Sequence, residues 1–512
     1  MKNCFFYKKI NPYDRKIQLF AKNGRKRSNT LTIWNSLGLD IRTKNCYNIS
    51  VNVNMSKLNY LDGVKMLGKS ITVDFEKKCG RIKPLCSVNG GPRSGGAGLV
   101  YDFADEFCRI GVPFVRVGAA SGDYGYNQFL NIHSIFPDFS ADETLEESYN
   151  FLPTDLYLAS VKAVGAEIFY CFGEASEPYS KKLFVSPPID KEKWARICEH
   201  ILMHYNEGWA NGFKWNIKYV EIWNSPDTPE GFSASAEEYF ELYRITANYL
   251  RERFPKLKIG AYGAGGFYSL NRIDATEEMK GYVPFMQQFL SYINREETQA
   301  PIDFFSWSCV TQNPEELAMH AKYARSYLDG AGHKRVRSII SRYNTVSGQT
   351  PPCLSQSFPS ELASSLILIQ KSSAEMMFYS SADASSPENG LFSVEDHTTH
   401  RHYSAYNVMC FFAELYRLGT AVETTADYSK EIYSLGAKGD DGGAIMLVTR
   451  KYSGKAEIVL RGSTYTTCSV TKVQPTSDRG APNIFKAENV AIAGSKIVLP
   501  VKENEIYLIR LF

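Results

Sequence analysis

From residue 70 onward, short apolar runs alternate with stretches of helical periodicity. Ile71-Thr72-Val73-Asp74-Phe75 alternates as a half-buried strand, and Pro84-Leu85-Cys86-Ser87-Val88 is a short apolar run closed by Asn89-Gly90-Gly91-Pro92. A helical pattern over 99–110 follows, then a strand at 113–117, a helix at 154–164, a strand at 167–172 and a helix at 191–205. The same rhythm predicts strands at 219–224, 258–262, 303–308, 337–343 and 375–380, and helices at 236–254, 282–294, 314–328, 360–371 and 403–418. Each strand is a short, mainly apolar run, as expected when both faces are buried. Eight strand–helix units predict a (β/α)8 TIM barrel with insertions. A doubly wound sheet is the rival, but no Gly-x-Gly-x-x-Gly fingerprint follows the first strand. The longest insertion, 119–153, would lie over the carboxyl-terminal mouth of the barrel.

After Gly419 the helical periodicity stops. Runs at 442–448, 456–460, 468–473, 496–501 and 505–511, separated by turn residues, predict a small antiparallel β-sandwich. The expected organisation is a basic extension (1–70), a strand joining the sandwich (71–84), the barrel (85–420) and the sandwich (421–512).

Charge sharpens the first boundary. The net charge of +3 conceals 14 Lys+Arg against 3 Asp+Glu in residues 1–69, with 44 against 52 in the rest. Such an arm can touch nucleic acid or anionic lipid; a poorly ordered extension or an over-long gene start is the plainer expectation. Hydrophobic residues at 44% and charged residues at 22% exclude a wholly disordered chain. No run approaches 18 apolar residues, so no transmembrane helix is expected. The amino terminus lacks the apolar core of a secretory signal, which predicts a chain that stays inside the cell or a true start elsewhere. The 11 cysteines are scattered with no Cys-x-x-Cys pair, so neither a disulfide framework nor a zinc ribbon is expected. Asp396-His397-Thr398-Thr399-His400-Arg401-His402 lacks zincin spacing, and Gly90-Gly91-Pro92-Arg93-Ser94-Gly95-Gly96 lacks the Lys-Ser/Thr of a phosphate loop. No metal or cofactor is expected.

The segment Tyr219-Val220-Glu221-Ile222-Trp223-Asn224-Ser225-Pro226-Asp227 resembles the Trp-Glu-Ile-Trp-Asn-Glu-Pro signature of glycoside hydrolase family 39, the β-xylosidase and α-L-iduronidase family. His204-Tyr205-Asn206-Glu207-Gly208-Trp209-Ala210-Asn211-Gly212, Pro187-Pro188-Ile189-Asp190-Lys191-Glu192-Lys193-Trp194-Ala195 and Val88-Asn89-Gly90-Gly91-Pro92 resemble family segments, as do Asn389-Gly390-Leu391-Phe392 and Tyr416-Arg417-Leu418-Gly419. The resemblance covers about 72–512 and implies a barrel with a carboxyl-terminal sandwich acting on O-glycosidic bonds.

A retaining glycosidase needs two carboxyl groups about 5–5.5 Å apart, one to protonate the leaving oxygen and one to attack the anomeric carbon. The resemblance assigns these to the ends of strands 4 and 7. Here Ser225 occupies the acid/base position and Arg342, in Ile340-Ser341-Arg342-Tyr343-Asn344, the nucleophile position. A hydroxyl does not exchange a proton as a tuned carboxyl does, and a guanidinium cannot attack. The family's Ser-x-His-Ser-Tyr segment reads Ser306-Trp307-Ser308-Cys309-Val310, and a His-Asp after strand 2 is missing.

These departures predict a catalytically impaired pseudo-glycosidase that keeps a carbohydrate-binding cleft. Asn224, Glu174, Trp307 and Tyr343 are the expected sugar contacts, and Arg342 suggests an anionic glycan as ligand. Two alternatives stay open: an active hydrolase using surrogate carboxylates such as Asp227, Glu230 or Glu221, and a non-enzymatic scaffold. Glu221 is four residues below Ser225 on the same strand face, ~13 Å further from the rim, and is expected inside the barrel.

Overall fold

The computed structural model of the chain describes residues 31–33, 41–43, 69–92, 103–118, 130–174, 185–345, 355–380, 382, 391–394, 400–426, 430–440, 442–474 and 484–512. Most of the basic extension lies outside these residues, as do 93–96, 119–129, 389–390 and 396–399, on which parts of the glycine-rich, insertion, family-segment and histidine readings fall. The chain divides into two compact units, 1–67 and 68–512. In the first, β1 (Leu31–Ile33) pairs antiparallel with β2 (Ile41–Thr43).

In the second unit, eight parallel strands close a barrel: β4 (Ser87–Asn89), β5 (Phe114–Val117), β6 (Glu167–Phe172), β7 (Tyr219–Ile222), β8 (Lys258–Ala264), β9 (Phe304–Val310), β10 (Arg337–Asn344) and β11 (Ala374–Tyr379). They alternate with α1 (Ala104–Ile110), α3 (Leu152–Ala163), α4 (Lys191–Asn206), α5 (Ala236–Arg253), α6 (Glu277–Ile293), α7 (Pro314–Gly330), α8 (Phe358–Gln370) and α9 (Ser404–Leu418). A short α2 (Ile132–Ile135) lies in the insertion. The helices begin where the sequence supplies caps. Asp190, Ser235, Thr276 and Asn313 each accept a bond from a backbone N–H in the first turn of α4, α5, α6 and α7.

The amino-terminal half of the barrel interior is filled by Phe169, Tyr219, Phe304, Ile339, Met376 and Phe378. Gly260 on β8 makes room for this layer, since a Cβ there would sit 2.4 Å from the Phe304 ring. The expected (β/α)8 barrel is thus borne out.

β3 (Lys69–Arg81) joins the second layer. It pairs antiparallel with β14 (Thr420–Ala426) and parallel with β17 (Gly454–Arg461). With β15 (Ile432–Gly439), β16 (Gly442–Thr449), β18 (Thr467–Val473), β19 (Ile484–Ala491), β20 (Lys496–Val501) and β21 (Glu505–Leu511) they form one nine-stranded sheet. The sheet encloses its own core, and alternation decides which side chains enter it. Ile445, Leu447, Tyr507 and Ile509 face that core, while Ala444, Met446, Val448, Ile506 and Leu508 join the barrel's core cluster.

Three sandwich strands were not foreseen. β15 is buried on both faces along most of its length, so polar–apolar alternation is erased, and β14 is a threonine-rich run. β19 likewise carried no expected run. A small hairpin, β12 (Phe392–Val394) with β13 (His400–His402), also went unpredicted, being too short to register.

Candidate active site at the barrel mouth

Above the aromatic layer the barrel interior turns polar. Arg116 projects from β5 and is almost wholly buried, facing the fully buried Glu221 of β7. Its Nε donates to Glu221 Oε2 at 2.8 Å, a second bond runs from Nη2 to the same oxygen, and Nη1 reaches Asn89 Oδ1 at 3.1 Å. Glu221 Oε1 accepts the Ser306 hydroxyl, and Ser306 Oγ in turn accepts the Gly263 N–H at 2.9 Å. Burial opposes the charge on Arg116, but the Glu221 carboxylate more than offsets it and holds the guanidinium above its ordinary pKa. Both charges are therefore matched inside the barrel.

The same arginine orients Asn224. Arg116 Nη2 donates to Asn224 Oδ1 at 2.7 Å, which fixes the amide oxygen inward and leaves its NH2 directed away from that contact. Ser225 follows in the left-handed region, with φ 53°, and Trp223 before it has φ 69°. Such conformations cost of order 1–3 kcal/mol each and persist only where the surroundings impose them. Here the Ser225 N–H bonds Tyr262 O at 2.8 Å, its hydroxyl donates to Gly263 O at 3.1 Å, and Trp223 Nε1 donates to Gly231 O at 2.8 Å. The Ser225 hydroxyl is thus committed to the end of β8.

Arg342 sits near the carboxyl end of β10. The register against β9 shifts between Ile340 and Arg342, so Ile340 and Tyr343 both join the core cluster shared with the helices, with Ser341 and Arg342 between them. Arg342 is exposed, and among the described residues it has no ion-pair or hydrogen-bond partner.

The other expected contacts fall elsewhere. Trp307 is fully buried, with Nε1 on Ser338 Oγ at 2.9 Å and its ring against Phe267 and His320. Tyr343 is fully buried too, with its hydroxyl 2.9 Å from Ser365 Oγ on α8. Both rings face the helix layer, because alternate strand residues point outward, so neither is a stacking platform in the mouth. Glu174, expected as a sugar acceptor, is engaged within the chain. Its carboxylate takes the His133 N–H at 3.2 Å and faces His133 Nδ1 at 2.5 Å, fastening α2 to the end of β6.

The surrogate carboxylates divide. Glu221 is consumed by Arg116, and Glu230 is exposed on the loop after β7. Asp227 tucks inward: Oδ2 accepts the Gly265 N–H at 2.8 Å while Oδ1 is buried without a partner. Burial pushes its carboxyl up to about 7.

A second polar cluster braces the neighbouring loops. Glu316 at the start of α7 binds Arg272 (Nη2–Oε2 2.6 Å), Asn271 (2.6 Å) and Thr311. Burial works to raise its pKa, but these donors, Arg272 foremost, bring it to about 2. His320 beside it is pushed down to about 4 by burial. No described residues form a group of three or more metal-ligating side chains.

Arg116, Asn89 and Ser306 were missed as site residues. The signal for Arg116 was present, a lone charge inside the apolar strand Phe114-Val115-Arg116-Val117. Asn89 and Ser306 carry no comparable mark.

The strands, helices and second sheet define a (β/α)8 barrel protein with a carboxyl-terminal β-sandwich. The model of the family described as glycosyl hydrolases family 39 matches residues 123–348. The β-xylosidases of Geobacillus stearothermophilus and Caldicellulosiruptor saccharolyticus are 23% and 24% identical over 255 and 265 residues, 46% and 48% of this chain. Each match covers 47% of the relative, so the chain spans about half the length of the curated relatives it matches. Among solved structures, a glucosidase from Croceicoccus marinus aligns with TM-score 0.69 at 19% identity, covering 87% of this chain and 99% of that one. A family 39 β-xylosidase from Caulobacter crescentus aligns with TM-score 0.63 at 14% identity, covering 87% and 100%. These two support the fold. The resemblance read from the sequence is borne out: the chain is a relative of glycoside hydrolase family 39.

Proposed function

We propose that this protein is a pseudo-glycosidase: a family 39 barrel that binds carbohydrate at its mouth without the retaining mechanism. The observation that carries this reading is Arg342, an exposed guanidinium with no partner among the described residues, at the position where the family resemblance assigns the nucleophile. Ser225, at the acid/base position, spends its hydroxyl on Gly263 O. Arg342 offers several donors, and Asn224, its oxygen held by Arg116, offers its NH2. Donors without matching acceptors favour a ligand rich in acceptors, and we assign an anionic glycan such as a uronic-acid oligosaccharide, paired bidentately with Arg342.

Titration calorimetry with acidic and neutral oligosaccharides tests this. The expected result is tighter binding of the acidic set, with Arg342→Ala losing about 10-fold or more for acidic ligands and little for neutral ones, as for a charged hydrogen bond of ~1.5–3 kcal/mol. Equal losses for both sets would refute the anionic assignment. No glycan binding at all would favour the scaffold reading.

A second reading, hydrolysis through a surrogate acid, draws on Asp227, whose carboxyl is raised to about 7. It predicts turnover that Asp227→Asn abolishes. Against it stand the burial of Oδ1 and the commitment of Oδ2 to the Gly265 N–H.

A further inference from the structure

We propose that Asp227 is a positioning residue, an acid-closed latch that fastens the loop bearing Asn224 and Ser225 to the end of β8. The loop after β7 is tied to β8 at three points: Ser225 N–H to Tyr262 O, Ser225 Oγ to Gly263 O, and Asp227 Oδ2 to the Gly265 N–H. The first two are bonds between neutral groups, so the third is where pH can act.

The surroundings of Asp227 suit a protonated carboxyl and not a carboxylate. Among the described residues its Oδ1 is buried with no hydrogen-bond partner, and so is the hydroxyl of Tyr262 on β8, which feels the Asp227 charge. Burial is the main cause of the raised Asp227 pKa and Glu278 of α6 adds to it; Tyr282, hydrogen-bonded to Glu278, is likewise raised by burial first, then by Glu278, Asp227 and Glu230 of the same loop. Among the described residues, no cation figures in the groups acting on Asp227. Gly265 is wedged under Tyr282, where a Cβ would meet the ring at 2.3 Å, so its N–H is confined to this contact. Ionised, Asp227 would place a second negative charge beside Glu278 with one oxygen dry, and release of the loop into water relieves both.

The sign follows from linkage. With the loop released, the carboxyl titrates near its ordinary value; latched, it titrates near 7. Opening therefore grows about tenfold per pH unit between about 4 and 7 and levels off above.

Amide hydrogen exchange on the full chain, corrected for intrinsic rates, reads this without any ligand. Protection at Gly265 is expected to fall at least 100-fold between pH 4.5 and 7.5. In Asp227→Asn, whose amide oxygen still accepts from Gly265, protection should be equal at the two pH values. Glu278→Gln should shift the midpoint to lower pH and covers the case in which Asp227→Asn fails to fold. Flat protection in the native chain would overturn the proposal, as would an unchanged midpoint in Glu278→Gln or a pH dependence that survives Asp227→Asn. The latch also predicts weaker glycan binding at pH 7.5 than at 5. That consequence rests on the carbohydrate-binding reading, so its failure alongside intact exchange behaviour would count against that reading alone.

Discussion

The interior of the barrel and its mouth use charge in opposite ways. Inside the barrel, Arg116 and Glu221 are buried and saturated by each other, Asn89, Asn224 and Ser306. At the mouth, Arg342 is exposed and unpartnered among the described residues. The interior pair is a closed account of donors and acceptors that holds strands together. The mouth has donors left over, which is the condition for recognising something that is not part of the chain.

This contrast can be broken at several points. The largest effect is expected inside. Glu221→Ala leaves the buried Arg116 guanidinium unmatched and should cost about 3–5 kcal/mol in urea unfolding; a loss under 1 kcal/mol would mean that water reaches Arg116. Next comes the brace at Glu316. Because its folded pKa is depressed to about 2 from 4.5, its contribution is present above about 4.5 and lost as pH falls toward 2. The loss amounts to about 3 kcal/mol, and Arg272→Ala should remove most of this acid-limb slope when unfolding midpoints at pH 6 and pH 3 are compared. Arg450 joins the sandwich to Glu315 (3.5 Å) and to the Gln312 carbonyl (3.0 Å) just beyond β9. Arg450→Ala is expected to cost about 1–2 kcal/mol, the range of a hydrogen bond to a charged group. The smallest effect sharpens the contrast most. Arg342→Ala should change stability by less than about 0.5 kcal/mol, as an exposed unpaired side chain does, while altering ligand affinity. A large loss of stability would place Arg342 in the fold instead of the site.

The sequence made the barrel legible because its strands are short apolar runs spaced by helices with clear caps, as at Asp190 and Asn313. It made Ser225 and Arg342 legible because they interrupt a motif. It misplaced Trp307 and Tyr343, since an aromatic at a strand end reads the same whether it points into the mouth or into the helix layer, and only register settles that. It gave no sign of the Glu174–His133 contact, because His133 lies in an insertion with no periodic pattern. It passed over Arg116 because a pair between β5 and β7 joins residues 105 positions apart. Long-range pairing of this kind leaves only an unexplained charge in an apolar run.

We propose that retaining chemistry has been lost at the mouth while a sugar cleft remains. The most direct measurement is hydrolysis of activated aryl glycosides, including xyloside, iduronide and glucuronide, by the native protein and by the double variant Ser225→Glu with Arg342→Glu. A good leaving group needs little acid assistance, so the assay reports on a surviving nucleophile. No turnover is expected from the native protein and measurable turnover from the double variant. Turnover by the native protein would contradict it and direct attention to Asp227 and Glu230.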